Sequence, residues 1–164
     1  MDSLKKRKKI RIENFDYATP GAYFITLCVS DRRPLLWEYK EFDPAHPEKL
    51  PLSAIGMVAE IGINQISDHY QNIVVDKYCI MPDHIHLILR ILMDENDYPK
   101  PNISTVIGQF KRWVSKQVSY PLWQKSFIDR VLRNEKGYLA AWQYIDENPF
   151  KLDTAYDTPD FSNL

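Results

Sequence analysis

Apolar residues along the chain fall into two rhythms: short runs of β-forming residues, and longer stretches where they recur every three or four positions. The first run, residues 22–29, follows the turn signal Pro20-Gly21 and reads as a strand ended by Arg32-Arg33-Pro34. Residues 37–51 hold Pro44, Pro47 and Pro51 among mixed charges and read as an irregular connection. Ser53 is a helix N-cap by type, and beyond it Ile55, Val58, Ala59, Gly62 and Ile66 form one apolar stripe of a helix. Residues 73–80 and 84–91 then read as two strands joined by the turn Met81-Pro82-Asp83, an antiparallel hairpin.

A proline-rich loop at 98–101 leads to a second helix that turns Ile103, Val106, Ile107, Phe110 and Val114 inward. Gln109, Arg112 and Lys116 fall on its solvent side with Lys111 beside them, a short basic ridge. Residues 127–132 read as a fourth strand. The last helix starts near Asn134, carries Tyr138, Trp142 and Ile145 as its buried stripe, and is expected to end at Asn148 because Pro149 follows. This order predicts an α+β fold: a ferredoxin-like (βαββαβ) antiparallel sheet with helices packed on it, plus a C-terminal helix.

The chemistry concentrates on the second strand of the hairpin. Successive strand side chains point to opposite faces, so His84 and His86 share a face with Ile88 and Arg90. Two neutral imidazoles at that spacing can hold one divalent metal ion, which then needs a further protein ligand and an open position for substrate. On the last helix Tyr144 shares a stripe with the small residues Gly137, Ala140 and Ala141, and Asn148 lies four residues further on, under the tyrosine.

Composition narrows the class. With 164 residues, 45% of them hydrophobic and 13% aromatic, the chain suits one globular domain. Cys28 and Cys79 fall inside apolar runs and read as reduced core residues. No apolar run is long enough to span a bilayer and the N-terminus is no signal peptide, so a cytoplasmic location is expected. The formal charge of −1 hides an uneven spread, with Lys5 to Lys9 and Arg11 at one end and Asp146, Glu147, Asp153, Asp157 and Asp160 at the other. The chain therefore divides into a basic N-terminal arm (1–12), a domain (13–152) and an acidic tail (153–164).

The segment Met81-Pro82-Asp83-His84-Ile85-His86-Leu87, followed about sixty residues later by Tyr144-Ile145-Asp146-Glu147-Asn148-Pro149, resembles the HUH single-tyrosine transposases, and REP-associated tyrosine transposases in particular. Pro20-Gly21-Ala22-Tyr23-Phe24, Phe110-Lys111, the stretch Leu122-Trp123-Gln124-Lys125-Ser126-Phe127 and Arg133-Asn134 extend the likeness over most of the chain. The resemblance implies a metal-dependent single-stranded DNA endonuclease and strand transferase, acting through a covalent 5′-phosphotyrosine on hairpin-containing DNA. By the same resemblance Tyr144 is the nucleophile, His84, His86 and Asn148 hold the metal, and the working ion is Mg2+ or Mn2+. Insertion-sequence relatives often have Gln where this chain has Asn148, and many relatives have Asn where it has Asp83, here read as a turn position.

Lys8, Lys9, Arg11, Lys111, Arg112 and Lys116 are the expected contacts to the DNA backbone, setting affinity and salt dependence rather than sequence choice. A monomer is favoured over a dimer. No dedicated general base is legible. Histidine-triad hydrolases would need a third histidine where Ile88 stands, and two-tyrosine relaxases a second tyrosine on the catalytic stripe, which Tyr138 does not share. The reading from a different class is a former transposase kept as a non-cleaving single-stranded nucleic-acid binder.

Overall fold

The computed structural model describes residues 11–38, 40, 43–46, 49–93, 101–151, 159–161 and 164. Along them run β1 (Gly21–Cys28), α1 (Ala54–His69), β2 (Ile73–Ile80), β3 (His84–Ile91), α2 (Ile103–Val118), β4 (Ile128–Leu132) and α3 (Glu135–Lys151), with a 3-10 turn at Ser30–Arg32 after the first strand. Each expected element is present. The strands form one sheet in the order β2-β3-β1-β4, every neighbouring pair antiparallel. β3 thus lies between β1 and β2, the split βαβ arrangement of a ferredoxin-like fold.

The two central strands, β1 and β3, are buried on both faces, which is why they read as nearly continuous apolar runs rather than as alternating ones. The register assigns the faces. Phe24, Thr26 and Cys28 of β1 stand opposite Ile88, His86 and His84 of β3, while Tyr23, Ile25 and Leu27 stand opposite Leu89, Leu87 and Ile85. α1 and α2 cover the second set: the Tyr78 hydroxyl, in register with Leu87, donates to Glu60 of α1 at 3.0 Å. Gly62 lets the two helices close up, since a Cβ there would come within 3.0 Å of Phe110 and 3.1 Å of Trp113. Ile63, Ile66, Val106, Ile107 and Val114 are nearly inaccessible beneath them, each contributing about 1.5–3 kcal/mol of burial.

Side-chain caps fix where the helices start. Ser53 accepts from the Gly56 amide at 3.1 Å and Asn102 from the Ser104 amide at 2.8 Å. α2 ends at Ser119, in the left-handed region at φ 53°.

α3 departs from expectation at its end. It runs through Pro149 to Lys151 instead of stopping at Asn148. A proline removes only its own amide bond, here to the Ile145 carbonyl four residues back, and the buried Pro149 ring recovers part of that loss by packing. The helix also buries a different stripe from the one its aromatics suggest. Gly137, Ala141, Ile145 and Asn148 are buried, whereas Tyr138 and Trp142 are half-buried toward β2. Both free cysteines are buried, as expected. Among the described residues no helix is long and apolar enough to cross a membrane.

Candidate active site

α3 packs on the sheet face that carries the histidines. His84 and His86 are 1% and 0% exposed, with ring centroids 4.6 Å apart. Each ring is held through Nδ1. His84 Nδ1 lies 2.6 Å from Asp83 Oδ1, and His86 Nδ1 lies 2.9 Å from the hydroxyl of the wholly buried Thr26. Both Nε2 atoms are buried with no hydrogen-bond partner among the described residues. Burial, followed by the neighbouring His84 imidazole and the Arg32 guanidinium, holds the His86 pKa well below the ordinary histidine value, so this ring is neutral. A neutral imidazole with one nitrogen engaged and the other bare is the form that ligates metal.

Tyr144 reaches this pair from α3. Its ring stands 5.4 Å from His86 and 6.0 Å from Phe24, edge-on to both, and its hydroxyl oxygen is buried. Asn148, one helical turn on, is 0% exposed, and neither amide atom has a hydrogen-bond partner among the described residues. Native interiors rarely leave buried polar atoms unsatisfied, and this face gathers two imidazole nitrogens and a whole amide in that state. The donor set suits a divalent cation: two imidazole nitrogens and an amide oxygen, with Tyr144 beside them. Among the described residues no cluster of three His, Cys, Asp or Glu side chains could hold a metal.

A β-bulge sets where α3 sits. The β2–β3 register shifts between Val75 and Lys77, so the extra residue Asp76 and its neighbour Lys77 both serve the α3 face. The Tyr138 hydroxyl donates to Asp76 at 2.9 Å, and Arg90 Nε and Nη2 grip the same carboxylate at 2.9 Å each. Lys77 pairs with Asp146 and lies 4.8 Å over the Trp142 ring. The tyrosine helix is thereby tied to the sheet on both sides of its half-buried aromatics.

The C-terminal stretch joins the site as well. Phe161 is 2% exposed, 5.0 Å from Phe24 and 5.8 Å from Tyr144 between ring centroids. Gly137 gives it room, because a Cβ there would come within 2.7 Å of the Phe161 carbonyl. Of the described part of 153–164, Phe161 packs into the domain while Pro159, Asp160 and Leu164 are exposed. The acidic charge of that stretch drew attention away from one apolar ring.

The expected DNA contacts are not gathered at this face. Lys8 and Lys9 lie outside the described residues. Arg11 sits over the Phe127 ring at 4.7 Å and the Tyr17 ring at 5.8 Å, so the arm's last residues fold onto the domain. Arg112 and Lys116 are exposed, but on the helix layer across the sheet from the histidines. Lys111 is half-buried and its ammonium is used internally, donating to the carbonyls of Gln124, Lys125 and Ser126 at 2.5, 3.3 and 3.4 Å. Burial lowers its pKa. Helical periodicity placed these side chains on a ridge, yet it could not say which layer the ridge would face.

Sequence reasoning also missed the partners of the histidines. Thr26 and Arg32 are remote in the chain, and only strand pairing brings them in. Asp83 could have been flagged, being a carboxylate next to a candidate ligand. Its side chain accepts from Arg32 Nε at 2.8 Å as well as meeting His84. Burial alone would raise its pKa, but those two partners outweigh it and the carboxyl ends below its ordinary value.

No protein-family model matches the chain. In sequence it is similar to a Haemophilus influenzae protein without an assigned function, 25% identical over 167 residues that cover 89% of each chain. It is also similar to a second protein of that organism, named "Putative REP-associated tyrosine transposase", at 27% identity over 149 residues, 83% of this chain and 74% of the other. Its fold matches a REP-associated tyrosine transposase solved with a REP hairpin bound, at a TM-score of 0.64 and 20% identity, over 87% of this chain and 73% of that one. The resemblance carried by the two motifs thus extends to whole-chain sequence similarity and to a shared fold.

Proposed function

We propose that the chain is a DNA-processing enzyme of the REP-associated tyrosine transposase kind: a metal-dependent single-stranded DNA endonuclease and strand transferase. The observation that carries the proposal is the Tyr144 ring 5.4 Å from His86, on a face where both imidazole Nε2 atoms and the Asn148 amide lack hydrogen-bond partners among the described residues. A structural role for these side chains would have supplied such partners.

His84 Nε2, His86 Nε2 and Asn148 Oδ1 would hold a Mg2+ or Mn2+ ion, whose charge offsets that developing on the scissile phosphate. The Tyr144 oxygen attacks the phosphorus, forming a tyrosyl–phosphate ester at the 5′ side of the break. The bond to the 3′ oxygen breaks, and that oxygen leaves with a proton as a 3′-hydroxyl. Phenol has a pKa of about 10, so Tyr144 sheds its proton as it attacks, and its phenolate is later an able leaving group. A second 3′-hydroxyl attacking the ester restores a phosphodiester and frees Tyr144. Burial of the site keeps water from intercepting the ester, which favours strand transfer over hydrolysis.

The substrate we propose is single-stranded DNA flanking a hairpin, with a monomer as the acting form. Arg112 and Lys116, with Lys8, Lys9 and Arg11, would contact DNA phosphates beyond the catalytic face, and Lys111 would support the 124–126 loop instead. The test is cleavage of labelled hairpin-flanked single strands in Mg2+, Mn2+ or EDTA. Metal-dependent cutting that disappears in Tyr144→Phe supports the reading. Tight binding with no cutting in either metal replaces it with the non-cleaving binder.

A further inference from the structure

We infer that Asp83 and Arg32 are positioning residues that fix the His84 imidazole for ligation, an inference that rests on the metal-site reading above. The first observation is a chain of three contacts. Arg32 Nε and Nη2 each approach Asp83 Oδ2 at 2.8 Å, and the other carboxylate oxygen, Oδ1, lies 2.6 Å from His84 Nδ1. A carboxylate gripped by two guanidinium N–H groups acts as an acceptor on its far oxygen. It therefore selects the tautomer with the proton on Nδ1. That choice leaves the lone pair on Nε2, the atom with no hydrogen-bond partner among the described residues.

The second observation is how Arg32 gets there. It follows β1 within the Ser30–Arg32 turn and holds φ at +55°, a region side chains seldom adopt. Such a conformation persists only where its surroundings hold it in place. Here two backbone bonds join that turn to the residues before His84: the Val29 amide donates to the Asp83 carbonyl at 2.9 Å, and the Leu36 amide to the Pro82 carbonyl at 2.9 Å. The turn after β1 and the turn before β3 are one unit, and the arginine closes it at the level of the histidine. An ion pair that merely joined two turns would need no third member. This one ends on an imidazole nitrogen.

His86 is held differently, by the Thr26 hydroxyl at 2.9 Å. A hydroxyl both donates and accepts, so it does not choose a tautomer on its own. The two ligands therefore differ in how firmly they are prepared, with His84 fixed before metal arrives.

The test uses the whole chain with 15N-labelled histidine. Long-range proton–nitrogen NMR in EDTA reads the His84 tautomer, and Mn2+ titration followed by EPR reads affinity. The wild type is expected to carry the His84 proton on Nδ1. Asp83→Ala should give mixed tautomers and Mn2+ affinity about 10–100-fold weaker, the usual effect of losing such a partner. Asp83→Asn, which keeps an acceptor oxygen, should lose less. Arg32→Ala should weaken binding, and Arg32→Ala with Asp83→Ala should be no weaker than Asp83→Ala alone, since both act through one contact. If Asp83→Ala does not fold, the Asp83→Asn and Arg32→Ala arms decide. A wild-type proton on Nε2, or unchanged tautomer and affinity in folded variants, overturns the inference while leaving the metal site standing. A wild type that binds no Mn2+ overturns the metal reading itself.

Discussion

Replacing Asn148 with leucine should make the metal-free protein more stable and take away its response to metal. The asparagine side chain is fully buried and both amide atoms lack hydrogen-bond partners among the described residues. An unsatisfied buried polar group costs about 1–3 kcal/mol, so the two ends together cost roughly 2–6 kcal/mol in the absence of a ligand. Leucine has the same γ-branching, and the strain of its extra bulk offsets about 1–3 kcal/mol of the gain. A net stabilisation of about 1–3 kcal/mol remains. For a domain this size about 1 kcal/mol moves Tm by roughly 2–4 °C, so Asn148→Leu should melt several degrees above wild type in EDTA. Saturating Mn2+ should reverse the order. A ligand at about a thousand times its Kd stabilises the form that binds it by about 4.1 kcal/mol, more than the variant's advantage, and that gain is open to the wild type and mostly lost to the variant. Differential scanning fluorimetry with and without Mn2+ measures both. A variant that melts lower than wild type in EDTA, or keeps the full Mn2+ shift, would refute the argument by showing the amide to be a satisfied structural group.

Tyr138→Phe should lower Tm by a few degrees, because one hydrogen bond to the buried carboxylate of Asp76 is lost, worth about 1 kcal/mol; thermal melts check it. Gly56→Ala should destabilise by about 3 kcal/mol or more in urea titrations, since a Cβ there would meet the Leu36 carbonyl oxygen at 2.1 Å. Asp129 is buried, and burial lifts its carboxyl pKa above the ordinary 3.8. The folded chain thus holds that proton more tightly than the unfolded one. Its stabilising effect is complete below the unfolded value and is lost as pH rises through the folded one. Asp129→Asn should remove this loss, so its stability relative to wild type should climb across that acidic window and then level off. Melts across the acid range that stay parallel for the two proteins would contradict it.

The sheet and the two helices over its second face were legible because their signals are local. Five apolar positions in α1 repeat at helical spacing, and the β2–β3 hairpin is announced by Pro82-Asp83. The histidine pair was legible for the same reason, since strand alternation places both rings on one face. What escaped lies in pairings between distant parts of the chain. Thr26 meets His86 only through the β1–β3 register, and Arg32 meets Asp83 only because a left-handed residue turns it back. The bulge at Asp76 sends two consecutive side chains toward α3, which strict alternation forbids. Phe161 was hidden in a stretch read by its charge, and Lys111 was assigned to solvent from its own helix without the loop that covers it. Pro149 misled because, two residues from the helix end, it costs one amide bond, a loss that the packing of α3 on the sheet outweighs.

The measurement closest to the central claim is to react the protein with hairpin-flanked single-stranded DNA in Mn2+, trim the DNA with nuclease, digest with protease and find the adduct by mass spectrometry. The peptide carrying Tyr144 should bear a nucleotide joined through its 5′ phosphate, and EDTA should abolish it. An adduct on any of the other tyrosines among the chain's 10, or cleaved DNA with no protein attached, would contradict the assignment of Tyr144 as the nucleophile.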